Sequence, residues 1–447
     1  MGRASGAGSS SPSRARSPAA PRVSPRPAAA VFKNSRRSER SLMALPPGSD
    51  SAGVFDPSGP VHVVRAPGRV NLIGEHIDYC GLPVFPMALQ RGIRMTFQPR
   101  PDPEARFINR DPRFAPVTFT VAESIRPAPA GDWGNYVRAA AQAVAQRFPN
   151  LRGVNALVET DLPIAAGLSS SSALVVATAL AILHANRVTL PALELIELLS
   201  RGERYVGTAG GAMDQAIIIG AEAGCAIRID FHPLRLTPTV VPAGWQFLVA
   251  WSLVHAEKSG ADRQAYNERT KQCEEAHRLV AARLGRQEDP SYPGLLAAAS
   301  VEELLDVARA TLSGVLLRRF RHVVTEATRV RLAEMAMARG KEGDLTAFGQ
   351  LLDASHASLR DDYEVSHAEL DRLVELAREA GAAGARLTGA GFGGSIVALV
   401  RAERAAEVMA ALRERFYAPR GVAGDVGQHL FVAESAAGAG VLDSEAV

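Results

Sequence analysis

Two clusters of ionisable residues stand where a charge has chemical uses. Glu75, His76 and Asp78 fall within four positions, between Gly74 and a turn at Gly81 and Pro83. They share no helical period, so a loop presents them. Such a cluster suits hydroxyl recognition, metal ligation by His76 and Asp78, or a plain polar surface turn. Asp214 closes the run Gly207-Thr208-Ala209-Gly210-Gly211-Ala212-Met213 and leads into Ala216-Ile217-Ile218-Ile219. A carboxylate between a methionine and an isoleucine run is costly to bury without a partner or a task. The alternative is a helix N-cap, a favoured place for Asp.

A third stretch can hold an anion. Residues 154–160 read as a strand. A turn of Pro and small residues follows, through Ala165, Ala166, Gly167 and Leu168, then four serines, Ser169 to Ser172. The apolar run from Ala173 to Leu183, broken only by Thr178, reads as a helix. Free N–H groups at a helix N-terminus, its positive dipole end and small side chains let a phosphate approach the backbone. No Gly-Lys-Ser/Thr follows the glycine, so this is not a Walker A loop. The alternative is a serine run capping a buried helix. Gly389, Gly391 and Gly394 satisfy G-x-G-x-x-G, yet the β-branched run Ile396 to Val400 leaves that loop where a dinucleotide fold needs a helix.

Positioning these loops requires alternating strands and helices. Strands are expected at residues 62–67, ending at Pro67, and at 87–98, 225–231, 245–253, 396–400 and 429–433. Helices are expected at 133–148, 191–205, 262–284, 317–339, 345–359 and 405–416. The chain is long enough, at 447 residues, for two or three domains. The pattern divides it into a basic tail at 1–48 and domains at 49–245 and 246–447. Apolar content of 47% and charged content of 22% are ordinary for a soluble globular protein. No apolar run reaches membrane-spanning length. Cys80, Cys225 and Cys273 are odd in number and far apart, which fits a reducing compartment.

Residues 1–42 carry nine Lys or Arg and one acid, Glu39, a net +8; with +3 over the whole chain, the remainder carries −5. The basic total is therefore no argument for nucleic acid. Rich in Arg, Ser, Pro and Ala, the tail cannot bury enough surface to order itself. It reads as a basic arm, as a transit-type segment, or as sequence preceding a start at Met43.

Taken together and in order, these loops resemble the GHMP small-molecule kinases, over about residues 60–435. Gly167-Leu168-Ser169-Ser170-Ser171-Ser172-Ala173 is similar to that superfamily's phosphate loop, and Gly389 to Gly394 to its third motif. Gly68-Arg69-Val70-Asn71-Leu72-Ile73-Gly74-Glu75-His76-Ile77-Asp78-Tyr79 resembles the signature of the galactokinase branch. Gly211-Ala212-Met213-Asp214-Gln215, Tyr266-Asn267-Glu268-Arg269 and Arg360-Asp361-Asp362-Tyr363-Glu364 resemble it too.

The resemblance implies an α+β fold of two domains with mixed sheets and helices, and an active site in the cleft between them. It implies phosphorylation of the C1 hydroxyl of galactose by ATP, with Mg²⁺, in galactose catabolism. Asp214 and Arg69 would be catalytic: Asp214 faces the hydroxyl, and the permanently cationic, forked Arg69 suits a phosphoryl oxygen. Glu75, His76, Asp78, Gly211 and Tyr266 would hold the sugar. Ala165 to Ser172 and Trp133 would hold the nucleotide, Trp133 at the adenine side. Ser171 and an acid would hold the metal. Many family members have that acid twelve residues before the catalytic Asp, where Gly202 stands here; Glu203 follows it and is the candidate.

Ser395 replaces the usual Cys of the third motif. The run Ile77 to Gly81 resembles the N-acetylgalactosamine kinase branch, which keeps N-acetylgalactosamine and L-arabinose open as substrates. A non-catalytic sugar- and ATP-binding regulator is the reading from another class. Such relatives lose part of the phosphate loop, and Ser171, Ser172 and Ala173 are all present here. The expected partners are a sugar and ATP, without nucleic acid or membrane, for a cytoplasmic monomer.

Overall fold

The computed structural model describes residues 54–442, apart from 164–165, 208–210, 256–260, 289–290, 423 and 425, and the side chains of 203–204 and 261–263. In chain order the elements begin with β1 (His62–Ile73), β2 (Phe85–Pro99), β3 (Glu104–Asn109), β4 (Val117–Thr120), α1 (Gly134–Arg147) and β5 (Val154–Thr160). Then come α2 (Ser170–Ala185), α3 (Ala192–Gly202), a 3-10 turn (Glu203–Val206), α4 (Met213–Gly220), the hairpin β6 (Cys225–Phe231) and β7 (Leu234–Val240), and β8 (Trp245–Trp251). A helical stretch follows: α5 (Ala261–Arg283), α6 (Tyr292–Ala298), α7 (Val301–Thr311), α8 (Gly314–Met337), α9 (Leu345–Asp361) and α10 (Ala368–Glu379). The chain ends with β9 (Gly384–Thr388), β10 (Ser395–Arg401), α11 (Ala405–Leu412), β11 (Leu430–Ala433) and β12 (Gly440–Leu442).

The first sheet has strand order β12-β1-β2-β5-β3-β4, with β3 and β5 parallel and every other pair antiparallel. A second, antiparallel sheet has order β11-β8-β10-β9. Helix α2 is apolar on every side, and it is buried against α1, β1 and β2, as an all-round apolar helix must be. Val70, Leu72 and Ile73 of β1 are wholly buried, each worth about 1.5–3 kcal/mol of hydrophobic stabilisation. Helices α8 and α9 pack on each other, and both touch β1. Among the described residues, no helix is long and apolar enough to cross a membrane.

Four expectations need correction. Strand β1 does not end at Pro67 but runs on to Ile73. Its register against β2 slips between Pro67 and Arg69, and that bulge absorbs a residue lacking an N–H and a glycine. The helix expected to reach residue 205 stops at Gly202, and the next four residues form the 3-10 turn. The last long helix ends at Leu412 and passes into a π-turn over Arg413–Tyr417. Five strands had not been expected, β3, β4, β7, β9 and β12, and the last of these returns to the first sheet and pairs Val63 with Leu442. Three residues give little alternation to read.

Candidate active site

The bulge in β1 places the first functional residue. There the N–H of Arg69 turns from β2 to donate to Leu168 O at 3.1 Å, tying the strand to the serine loop. Gly68 is required at this approach, since a Cβ would lie 2.6 Å from Leu162 Cδ2 and 2.9 Å from Leu168 O. The buried Arg69 side chain then donates from Nη1 to Gly167 O at 2.6 Å and from Nε to Asp214 Oδ1 at 2.8 Å. Asp214 lies in the first turn of α4, where the positive end of the helix dipole favours a carboxylate. Its N-cap is Ala212, so Asp214 is not the cap. Ser172 Oγ donates to Asp214 Oδ2 at 3.3 Å.

The serine loop is not a capping device. Ser169, at the N-cap of α2, has φ 59° and makes no side-chain cap bond; its buried hydroxyl has no hydrogen-bond partner among the described residues. With Gly167 also at φ 77°, the backbone curls at the helix N-terminus. Such a curl forms an anion-binding concavity. The third glycine motif braces this loop. Ser395 Oγ donates to Ala166 O at 2.8 Å, and a Cβ on Gly389 would lie 2.8 Å from Gly167 O. Gly167 to Ser171 line a cavity of about 760 Å³, while Ala166 and Ser172 support it from behind. Ala165 lies outside the described residues.

Arg69, Asp214, Glu75, His76, Asp78, Gly211 and Tyr266 line the same cavity, and Trp133 and Phe114 stand in its wall as well. Trp133 precedes α1 and donates from Nε1 to Ala115 O at 2.9 Å, leaving its ring edge-on to Phe114. Gly211 leaves no room for a Cβ against Asp78 Oδ2. Burial, then the nearby Asp214 carboxylate, push the Asp78 carboxyl up to about 7.

Glu75 and His76 are more committed than the sequence suggested. Glu75 Oε2 pairs with Arg386 Nη2 at 2.6 Å, both side chains being almost wholly buried. Burial pushes the Glu75 carboxyl up, against the pull of Arg386 and Arg69. The His76 ring is spent on protein: Nε2 lies 3.0 Å from Ala390 O, and Nδ1 lies 3.0 Å from Tyr79 Oη. Burial pushes its pKa down to about 3, so the ring is neutral; Nε2–H donates to the carbonyl and Nδ1 accepts from the tyrosine. His76 therefore has no ring nitrogen left for a sugar hydroxyl. Tyr79 Oη in turn meets Tyr363 Oη at 2.6 Å, and Tyr363 Oη meets Cys273 Sγ at 3.0 Å. Tyr266 packs against the His76 and Tyr79 rings.

Arg386 was not singled out from the sequence. A basic residue at the centre of Gly384-Ala385-Arg386-Leu387-Thr388, a strand buried throughout, was the available signal. Glu203 heads the 3-10 turn whose later residues, Tyr205 and Val206, line the cavity; its side chain lies outside the described residues. Ser171 lines the cavity beside the loop, and a hydroxyl oxygen there fits a hard cation that takes its other ligands from phosphate. Among the described residues, no three His, Cys, Asp or Glu group to hold a metal.

Residues 53–99 match the galactokinase galactose-binding signature. Residues 135–221 match the GHMP kinases N terminal domain, and residues 335–418 the GHMP kinases C terminal domain. A galactokinase of Chloroflexus aggregans is 40% identical over 365 residues, which cover 79% of this chain and 87% of that protein. One of Dictyostelium discoideum is 31% identical over 458 residues, covering 87% and 90%. The crystal structure of Lactococcus lactis galactokinase complexed with galactose superposes with a TM-score of 0.76 at 31% identity, covering 87% of this chain and 96% of that one. The mevalonate kinase of Methanococcus jannaschii shares the fold, with a TM-score of 0.55 at 18% identity.

Proposed function

Since the chain belongs to the galactokinase family, we propose that it transfers the γ-phosphoryl group of ATP to the C1 hydroxyl of galactose, giving α-D-galactose 1-phosphate and ADP. The observation that carries the reading is the Arg69–Asp214 pair, locked to Gly167 at the mouth of the serine loop. Phosphoryl transfer needs in-line positioning and charge neutralisation more than covalent help. In this reading the N-terminus of α2 and the Gly167–Ser171 loop hold the phosphates, with Trp133 beside the adenine. Asp214 faces the C1 hydroxyl and receives its hydrogen bond. As the C1 oxygen bonds to phosphorus, the bond to the β–γ bridging oxygen breaks and ADP carries off that electron pair. The hydroxyl proton leaves toward Asp214. Arg69 neutralises charge on the transferring group while holding the carboxylate in place.

Asp78, Glu75, Gly211 and Tyr266 would read the sugar. Acceptors left unpaired by the wrong epimer are how such a site rejects it. His76 belongs to this reading as the support of Tyr79 and of the third motif. Ser171 and Glu203 would hold Mg²⁺, which when bound supplies charge neutralisation at the β- and γ-phosphate oxygens. The proposal also divides the chain into domains near residue 245, with β12 crossing back, and has it act as a cytoplasmic monomer.

The test is a sugar panel with Mg-ATP: galactose, N-acetylgalactosamine, L-arabinose and glucose. The highest kcat/KM belongs to galactose. A higher value for N-acetylgalactosamine or L-arabinose would move the reading to that branch.

A further inference from the structure

The segment that carries Glu75 and Asp78 leaves β1 in an unusual backbone. Gly74 has φ 101° and His76, which has a Cβ, has φ 62°. Only surrounding structure keeps a non-glycine residue in that region. The strand ladder does not supply the restraint, because the pairing of β1 with β2 ends at Ile73.

Two side chains of α8 supply it instead. Glu326 Oε1 accepts the N–H of Gly74 at 2.9 Å. His322 Nε2 donates to Glu75 O at 3.1 Å. The two residues lie one helical turn apart on the same face of α8, and both are wholly buried. Neither lines the cavity. Each is itself fixed: Glu326 by Ser355 Oγ at 2.7 Å and Arg329 Nε at 2.6 Å, His322 by Ser358 Oγ at 3.0 Å. Burial opposes ionisation of Glu326, but Arg329 beside it holds the carboxyl down at about 2, so it is a full acceptor at neutral pH. The fit is close, since a Cβ on Gly74 would lie 2.8 Å from Val330 Cγ2, one turn further along α8.

We propose that Glu326 and His322 are positioning residues for sugar recognition: from behind the site they fix the peptide groups of Gly74 and Glu75, and so aim Glu75 and Asp78 into the cavity. The proposal rests on the reading of this loop as the sugar reader. It separates two functions along the chain. The nucleotide loop is braced by β1 and the third motif, whereas the backbone of the sugar loop is fixed by α8, beside the contacts of Glu75 with Arg386 and of His76 with Ala390 O.

Full-length Glu326→Ala and His322→Phe proteins are compared with wild type for kcat, for KM of galactose and of ATP, and for amide hydrogen exchange. Glu326→Gln, which keeps a carbonyl acceptor for Gly74, serves as the rescue variant. The KM for galactose rises by about 10-fold or more while that for ATP stays within about twofold, as expected when a buried hydrogen bond that orients a binding loop is lost. Glu326→Gln recovers most of the loss. Exchange accelerates in peptides covering residues 73–79 and not in those covering 167–174. Folded variants with unchanged KM for galactose, or with both KM values raised alike, would overturn the proposal. Should Glu326→Ala fail to fold, His322→Phe and Glu326→Gln carry the same comparison. Absent wild-type turnover counts against the kinase reading alone, and the exchange pattern still decides whether α8 fixes the loop.

Discussion

Among the described residues, Asp214 meets groups of three different kinds: the Arg69 guanidinium, the Ser172 hydroxyl and the N-terminus of α4. All three favour an ionised carboxylate. Replacing it with Asn keeps the shape and an acceptor but removes the charge. Asp214→Asn is therefore expected to lower kcat by about 10²–10⁴-fold, the usual worth of a general base, with an unchanged far-UV CD spectrum. A wild-type rate in that variant would remove Asp214 from the mechanism.

Asp78 makes a prediction of the opposite electrostatic sense. Its carboxyl is raised from 3.8 to about 7 in the folded protein. Between those values the folded state keeps a proton that the unfolded state has lost, so the contribution of Asp78 to stability falls as pH climbs. Asp78→Asn removes that loss. The Tm of the variant minus that of wild type, both without ligand, should grow from about pH 4 to pH 7. A flat difference would show that Asp78 is solvated. Arg69, Asp78 and Asp214 were legible in the sequence because each is a charge set among glycines or apolar residues, within a local motif. Glu326 and His322 were not, because their partners Gly74 and Glu75 lie 252 and 247 positions away. A His and an acid on the apolar face of a helix look like ordinary amphipathic scatter until the fold brings the loop to them.

At the scale of elements, the sugar loop joins the two sheets. β1 belongs to the first sheet and β9 to the second, and the Glu75–Arg386 pair bridges them inside the core. Arg386 Nη1 also donates to Leu72 O at 3.0 Å, so one guanidinium holds both the backbone of β1 and the carboxylate beyond it. Arg386→Met should destabilise the fold by about 3–5 kcal/mol in urea titrations, because it leaves Glu75 buried without its partner. A loss below about 1 kcal/mol would mean that the carboxylate is relieved by water or protonation. The periodic elements were readable: β2, β5, α1, α2, α5, α8 and α9 fall close to where apolar spacing puts them. The errors gather where a local rule met a tertiary contact. Pro67 reads as a strand end, yet the bulge it shares with Gly68 carries β1 onward and turns Arg69 toward the serine loop. The glycine-rich third motif formally fits a dinucleotide turn, and it serves to pack one backbone against another at Gly167.

At the scale of the whole molecule, the match to the galactokinase galactose-binding signature covers residues 53–99. Residues 1–42 bring a net +8 to a remainder of −5. Removing them should leave kcat and both KM values within about twofold, since every group assigned to the site lies beyond them and long-range charge is screened over about 10 Å at 0.1 M salt. A larger loss would give the segment a role in catalysis. The account as a whole rests on one event, the arrival of a phosphoryl group from ATP on the anomeric oxygen of galactose. Purified full-length protein with galactose and Mg-ATP should release ADP and form galactose 1-phosphate in equal amounts, with the phosphorus signal coupled to the α-anomeric proton. Binding of both ligands with no ADP above the sugar-free blank would contradict it.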